Sequence, residues 1–156
     1  MKHIVQLFET LDSTNKYLEN IDTSTVDEGY IVRAEHQTSG VGQQGNIWQS
    51  QANKNLTFSM LLKPTFLPIA DRYMLTKAIS LAMVDFLKAV LPNNFISIKW
   101  PNDIYAGNRK LAGVLVELDC CGAFVVSGVV SVCFSSVVDS VEVSSVVDSV
   151  TFSVDT

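Results

Sequence analysis

The chain has 156 residues and a formal net charge of −5 at pH 7, with 47% hydrophobic and 17% charged residues. This length suggests one domain, which buries about 70% of its unfolded surface on folding. An acidic chain without a Lys/Arg cluster lacks the electrostatic footprint of a nucleic-acid binder. No run of 18 uncharged apolar residues is present, so no membrane span is predicted. We therefore expect neither nucleic acid nor a membrane as partner.

The cysteines and the N-terminus indicate the compartment. Cys120, Cys121 and Cys133 are an odd set confined to the end of the chain, and they predict neither a disulfide framework nor a spaced zinc site. The first residues run into a strand pattern at Ile4 and are not typical of a secretory signal. A cytoplasmic, reducing location is the expectation that follows.

The first elements alternate between strands and a short helix. Ile4–Phe8 is apolar and β-prone, and a helix is predicted to begin at about Ser13, after several N-cap candidates. Tyr30–His36 suggests a second strand. Gln37–Lys54, which contains three glycines, is predicted to be a loop, and the partial alternation of Asn55–Leu62 indicates a half-buried strand.

The longest periodic stretch predicts a helix from about Pro68 or Asp71 to Leu91, ended by Pro92. Its apolar residues recur at helical spacing, which indicates one buried face. The residues assigned to that face are Met74, Leu75, Ala78, Ile79, Ala82, Met83, Phe86, Leu87, Val90 and Leu91.

Three short strands are predicted after this helix: Ile96–Trp100, Ile104–Ala106 and Leu111–Leu118. Pro101-Asn102-Asp103 is expected to form the first connecting turn. Gly107-Asn108 is a dipeptide typical of a hairpin turn between the second and third strands.

Residues 119–156 differ from the rest of the chain. They are dominated by Val and Ser, and Ser135–Val141 recurs nine residues later as Ser144–Val150. Such a tract favours strands, but two copies are too few for a solenoid. We expect residues 1–118 to form the functional core and residues 119–156 to be a β-prone tail that completes or replaces the last strands of the same domain.

Three segments, in this order, resemble the catalytic domain of biotin protein ligases. The first is Asp12-Ser13-Thr14-Asn15 at a helix start. The second runs from Ala34 to Ser50 through the glycines of the loop and is followed by Asn55–Ser59. The third is Lys99-Trp100-Pro101-Asn102-Asp103-Ile104-Tyr105, followed by Arg109-Lys110-Leu111-Ala112-Gly113-Val114-Leu115-Val116-Glu117. The order and spacing match that family over residues 4–118, and the third segment is the most specific.

The resemblance implies an α+β fold with a mixed, largely antiparallel sheet packed against helices, as in class II synthetases. It implies a ligase that uses ATP to activate biotin as biotinyl-5′-adenylate and then transfers biotin to a lysine of a biotin carboxyl carrier protein. Mg²⁺ is implied by the triphosphate, since no metal-ligand cluster is evident in the sequence. A homodimer is compatible with the resemblance, although no residue indicates it.

The glycine loop has a pattern suited to close approach of a ligand. Glycines adopt positive φ and let the backbone approach closely, and backbone N–H groups in such a loop cradle phosphate oxygens. No helix pattern follows Gly45, so we expect a loop that orders over the adenylate and excludes water. A plain surface turn is the alternative. By resemblance, the nucleotide-binding residues are Gly42, Gln43, Gln44, Gly45, Trp48 and Asn102; an ordinary core position is the alternative for Trp48.

The third segment carries the charged candidates. Joining a carboxylate to ATP concentrates negative charge at the α-phosphate, and cations aimed at that charge stabilise the transition state. By resemblance, Lys110 holds the biotin carboxyl and α-phosphate region, and Lys99 faces the phosphates. Asp103 is expected to orient the acceptor lysine or take its proton, unless it only caps the turn.

Biotin recognition is assigned by resemblance to hydroxyl, amide and small or apolar residues. The ureido group needs both donors and acceptors, which hydroxyl and amide side chains supply. Ser13 has a simple N-cap role as its alternative. The biotin-binding residues implied are Ser13, Thr14, Asn15, Gln37, Gly40, Gly113 and Leu115.

Two features depart from the family pattern. Val41, Gln43, Gln44 and Asn46 stand where the family's loop usually carries arginines, and glutamine does not replace a guanidinium that binds phosphate bidentately. The segment Ser127–Val132 lies roughly where the family has its next strand, without that strand's asparagines. Two alternatives therefore stay open: a lipoate or octanoate ligase of the same fold, and a non-enzymatic binder of biotin or nucleotide.

Overall fold

The computed structural model describes residues 4–52, 54–118 and 124–131. Nine strands and two α-helices lie in these ranges, with 3₁₀ turns at Thr23–Thr25, Gln43–Gly45 and Ile69–Asp71. In chain order the elements are β1 (Val5–Leu11), α1 (Thr14–Asn20), β2 (Ile31–Gln37), β3 (Gly40–Val41), β4 (Ile47–Trp48), β5 (Asn55–Leu62), α2 (Arg72–Val90), β6 (Ile96–Lys99), β7 (Asp103–Ala106), β8 (Arg109–Leu118) and β9 (Phe124–Ser131).

Seven of the described strands form one sheet in the order β1-β2-β5-β9-β8-β7-β6. β1 and β2 pair in parallel, whereas every other neighbouring pair in this sheet is antiparallel. β3 and β4 form a separate two-stranded ribbon. This arrangement confirms the predicted α+β fold with a mixed, largely antiparallel sheet. The β9 strand lies between β5 and β8 at the centre of the sheet, and residues 132–156 lie outside the described residues.

The two helices pack on opposite faces of the sheet. Leu61 of β5 packs with Leu18 of α1, while Leu56 of the same strand packs with Val84 and Leu87 of α2. Successive side chains of a strand point to opposite faces, so residues an odd number of positions apart face opposite layers. α1 contacts β2, β5 and β9, whereas α2 lies over β6, β7 and β8.

The predicted buried face of α2 is wrong in part. Leu87 and Leu91 are buried, but Met74, Ala78 and Ala82 are exposed. The buried positions of the helix are Ser80, Val84 and Leu87. The face that meets the sheet is therefore displaced toward Ser80 and Val84, while Met83, Phe86 and Val90 of the predicted face are partly buried beside it. Apolar residues occur almost all around this helix, so periodicity alone did not define which side meets the sheet.

The loop predicted over residues 37–54 also needs correction. Gly40–Val41 pairs with Ile47–Trp48 as the β3–β4 ribbon, and a 3₁₀ turn at Gln43–Gly45 connects them. Two-residue strands carry no periodicity, so a pattern search does not find them. The Gly107-Asn108 hairpin is confirmed: Gly107 has a φ of +57° and joins the antiparallel strands β7 and β8.

Candidate functional site

Ser13 caps the N-terminus of α1. Its side chain accepts a hydrogen bond from the backbone N–H of Lys16 at 3.4 Å, and Asp12 accepts one from the backbone N–H of Ser13 at 2.7 Å. The Ser13 side chain is fully buried. The capping alternative for Ser13 is therefore observed, and its predicted contact with biotin stays a prediction.

A buried polar cluster joins α1 to two strands of the sheet. The Oε1 atom of Gln37, at the end of β2, accepts hydrogen bonds from the backbone N–H of Thr14 at 2.7 Å and from its hydroxyl at 3.0 Å. The hydroxyl of Ser59 on β5 donates to Thr14 Oγ1 at 2.8 Å. All three side chains are at least 93% buried. We call Thr14, Gln37 and Ser59 the buried polar cluster, and Ser59 is a member that the sequence did not identify.

Asn15 is held by a carboxylate that lies 102 residues further along the chain. Its Nδ2 atom donates to Glu117 Oε2 at 2.8 Å, and Asn15 is 2% exposed. Glu19, one turn along α1, has its pKa raised above the usual 4.5, by partial burial first and then by the neighbouring carboxylate of Glu117. Glu117 thus anchors the first turn of α1 to β8, and it is a second residue that the sequence did not identify.

The raised pKa of Glu19 predicts a pH-dependent effect of Glu19→Gln. Below about pH 4.5 Glu19 is protonated in both folded and unfolded chains, so it does not affect stability. At a pH above the pKa of Glu19 in the folded protein, its carboxylate is ionised in both the folded and the unfolded chain. Burial and the nearby Glu117 make the ionised form unfavourable only in the folded chain, so it lowers stability there. Glu19→Gln should therefore raise Tm at pH 7 and leave Tm unchanged near pH 4. Thermal unfolding of Glu19→Gln beside Glu9→Gln, an exposed glutamate of β1, checks this; equal shifts for both variants at pH 7 would contradict it.

A surface cavity of about 270 Å³ lies between the β3–β4 ribbon and strands β7 and β8. Ligand sites for drug-sized molecules usually occupy about 300–1,000 Å³, so in this conformation the cavity accommodates only part of a nucleotide-sized ligand. Its lining residues are Val41, Gly42, Gln43, Asn46, Ile47, Trp48, Asn102, Asp103, Lys110, Gly113, Val114 and Leu115.

The charged centre of this cavity is the pair Lys110 and Asp103. Lys110 Nζ lies 2.6 Å from Asp103 Oδ1 and 4.3 Å from the ring centroid of Trp48. The two charged side chains are about a third and a fifth exposed, respectively. The lysine therefore carries its positive charge beside an aromatic face, at the wall where a ligand enters.

Asn102 fixes the start of β7 against β8. Its carbonyl accepts from the backbone N–H of Val114 at 2.9 Å, and its side-chain amide donates to the carbonyl of Val114 at 2.9 Å. These two bonds join the turn after Pro101 to β8 from both directions. They set the position of Asp103, the next residue along the chain.

Two glycines make room for Trp48. A Cβ atom on Gly113 would lie 2.6 Å from the indole ring of Trp48. A Cβ atom on Gly40 would lie 2.6 Å from the backbone oxygen of Trp48 and 2.8 Å from Nε2 of Gln37. Gly40 thus connects the cavity to the buried polar cluster, and only glycine fits either position without displacing these neighbours.

The predicted site residues fall into three groups. Eight of them line the cavity: Gly42, Gln43, Trp48, Asn102, Asp103, Lys110, Gly113 and Leu115. Thr14 and Gln37 belong to the buried polar cluster, Ser13 and Asn15 flank it at the start of α1, and Gly40 lies between the two groups. Gln44, Gly45 and Lys99 lie outside both: the first two are exposed at the loop tip, and Lys99 Nζ is 5.8 Å from the ring of Tyr105.

The described ranges hold neither a metal-ligand cluster nor a membrane-spanning helix. Residues 4–52, 54–118 and 124–131 contain no group of three or more His, Cys, Asp or Glu side chains arranged to hold a metal ion. Within the same ranges, no helix is both long and apolar enough to span a membrane.

Comparison with known sequences identifies relatives. The sequence model of the biotin/lipoate A/B protein ligase family matches residues 7–135. The bifunctional ligase/repressor BirA of Escherichia coli is 37% identical over 114 residues, which are 73% of this chain and 35% of that protein. The biotin–[acetyl-CoA-carboxylase] ligase of Mycobacterium tuberculosis is 35% identical over 104 residues, 65% of this chain and 38% of that protein. The chain spans about a third of the length of these curated relatives.

Solved structures show the same fold. Biotin protein ligase from Aquifex aeolicus in complex with biotin and ATP is 30% identical, with a TM-score of 0.71 over 81% of this chain and 51% of that chain. Biotin acetyl coenzyme A carboxylase synthetase from Helicobacter pylori with bound biotinylated ATP is 28% identical, with a TM-score of 0.70 over 94% and 71% of the two chains. These matches confirm the resemblance drawn from the motifs, and the chain belongs to the biotin/lipoate A/B protein ligase family.

Proposed function

We propose that this chain is an ATP-dependent ligase that activates biotin and transfers it to a lysine of a biotin carboxyl carrier protein. The observation that carries the proposal is the Lys110–Asp103 pair beneath Trp48, in a cavity that adjoins the buried polar cluster. The relatives described as biotin ligases, and the related structures that contain biotin with ATP or biotinylated ATP, support the choice of substrates.

In the first step, a carboxylate oxygen of biotin attacks the α-phosphorus of ATP. The bond to pyrophosphate breaks, and biotinyl-5′-adenylate forms. Negative charge accumulates on the α-phosphate oxygens, where the ammonium of Lys110 supplies the compensating positive charge. Mg²⁺ would accompany the triphosphate and would offset part of its negative charge. The ring of Trp48 covers this wall of the cavity and limits access of water to the mixed anhydride.

In the second step, the acceptor lysine attacks the carbonyl carbon of biotin and AMP leaves. The attacking amine must be neutral, so its ammonium proton has to pass to a base. Asp103 lies at the cavity wall and is the carboxylate suited to accept that proton or to orient the amine. Once the negatively charged adenylate engages Lys110, the lysine no longer has Asp103 as its principal counter-ion. We infer a cytoplasmic site of action, because the reaction consumes ATP.

The experiment that tests this function is pyrophosphate release by the purified chain with biotin, ATP and Mg²⁺, with lipoate and octanoate as parallel substrates. Biotin-dependent release supports the proposal. Release with lipoate or octanoate alone would replace it with the related acyl ligase activity. The archaeal lipoate protein ligase that shares the fold is only 14% identical and argues for the fold alone.

The uncharged glycine loop favours a second candidate, a binder that no longer catalyses. Gln43 lines the cavity at a position where the family's loop usually carries arginine, and the loss of one charge-assisted contact weakens binding by about 1.5–3 kcal/mol. This candidate predicts biotin binding by calorimetry without pyrophosphate release. If Gln43→Arg then restores release, the missing charge is the cause; if wild-type already turns over, the second candidate is excluded.

A further inference from the structure

One lysine lies close to two exposed aromatic rings where β6 ends. Trp100 is 61% exposed and Tyr73, at the start of α2, is 51% exposed. Lys77 Nζ lies 4.8 Å from the Tyr73 ring and 5.6 Å from the Trp100 ring. We call Tyr73, Lys77 and Trp100 the Trp100 patch. A tryptophan held by a cation yet open to solvent is typical of a surface that contacts another protein.

The Trp100 patch lies close to the reacting end of the proposed site. Lys99 pairs with Asp103 across β6 and β7, and paired residues in antiparallel strands have Cα atoms about 4.5–5.5 Å apart. Trp100 follows Lys99 directly, and consecutive Cα atoms are about 3.8 Å apart. The Cα atom of Trp100 therefore lies within about 10 Å of that of Asp103.

A folded acceptor cannot deliver its lysine to Asp103 without approaching this surface. A specific interface buries about 800 Å² on each partner, equivalent to a disc about 16 Å in radius. Such a disc centred near Asp103 reaches the Trp100 patch. Tryptophan and tyrosine are the residues most enriched among those that dominate binding energy.

Charge indicates the chemistry of the partner surface. Arg72 and Lys99 directly precede Tyr73 and Trp100 in the chain and are exposed, as is Lys77. Asp71 is the acidic residue beside them at the start of α2, although the whole chain carries a net charge of −5. A local excess of cations on an acidic protein attracts and orients an acidic partner surface and repels a basic one.

We propose that the Trp100 patch is the docking surface for the folded acceptor domain, engaging an acidic surface beside its target lysine. This proposal rests on the proposed ligase function. The rings supply the apolar contact, and Lys77, within 6 Å of both ring centroids, supplies positive charge beside them. The patch acts on the acceptor and not on biotin or ATP, since none of its three residues lines the cavity.

The test separates the two half-reactions in the full chain carrying Trp100→Ala. Biotin-dependent pyrophosphate release without acceptor should match wild-type, as should biotinyl transfer to hydroxylamine, a small nucleophile that needs no docking. Transfer to a purified carboxyl carrier domain should show a KM raised about tenfold or more, the effect expected from a central interface aromatic. The matched control is Phe95→Ala, a 78% exposed aromatic at the opposite end of β6, which should leave that KM unchanged.

Lys77→Glu provides a second, independent test, because this variant keeps the Trp100 side chain. It should raise the KM for the carrier domain and reverse the salt dependence of that KM, with adenylation unaffected. An unchanged KM in both variants would overturn the docking proposal, as would equal losses with hydroxylamine and with the carrier domain. Absence of pyrophosphate release by the wild-type chain would instead overturn the ligase function, and the docking proposal with it.

Discussion

Replacing Lys110 with alanine is expected to slow biotin-dependent pyrophosphate release by about 10²–10³-fold, the usual cost of removing one donor aimed at developing negative charge. Lys110 Nζ is held in the cavity by Asp103 at 2.6 Å and by the face of Trp48. Its charge is therefore already oriented before a substrate arrives, so little reorganisation is needed during the reaction. The measurement is the initial rate of pyrophosphate release at saturating biotin and ATP.

The control for this experiment is Lys88→Ala, because Lys88 is an exposed lysine in the last turn of α2 and does not line the cavity. It removes the same charge from the protein and should leave the rate unchanged. A Lys110→Ala rate within threefold of wild-type would show that the cation is not what stabilises the transition state. Thermal unfolding of both variants separates a loss of chemistry from a loss of fold.

Much of the sheet was predictable because its strands carry local signals. The predicted bounds Asn55–Leu62 match β5 residue for residue. The half-buried character predicted for this strand is wrong, because none of its residues is exposed and α1 and α2 cover its two faces. The hairpin at Gly107-Asn108 was predictable because the turn itself needs a residue at positive φ. The face of α2 was not predictable in the same way, because which side of an apolar helix is buried depends on the sheet that it meets.

The residues of the candidate site also differ in whether a local sequence signal identifies them. Segments such as Asn102-Asp103 and Lys110 were found because the residues lie close together in the chain and follow a specific motif. Ser59 and Glu117 lie in segments that resemble the family, but no role was assigned to them because their contacts are long-range: Ser59 lies 45 residues from Thr14, and Glu117 lies 102 residues from Asn15. A serine within a strand and a glutamate near a strand end carry no local signal of such contacts.

The β3–β4 ribbon lies between the cavity and the buried polar cluster. Gly40 pairs with Trp48 in this ribbon, and the space that a Cβ on Gly40 would take is bounded by Gln37 on one side and Trp48 on the other. A shift of Trp48 therefore alters the space beside the buried polar cluster.

Gly113→Ala should destabilise the protein by about 1–3 kcal/mol, the usual cost of overpacking a filled position, and should weaken nucleotide binding. The new methyl group would lie 2.6 Å from the Trp48 ring, so the indole must leave its place beside Lys110.

A double-mutant cycle with Trp48→Ala isolates this cause. In the Trp48→Ala background the penalty of Gly113→Ala should largely disappear, as measured by urea unfolding of the four proteins. An equal penalty in both backgrounds would mean that the glycine is required by the backbone of β8 and not by the tryptophan. The predicted coupling follows from one geometric fact, that the indole occupies the volume a side chain at position 113 would need.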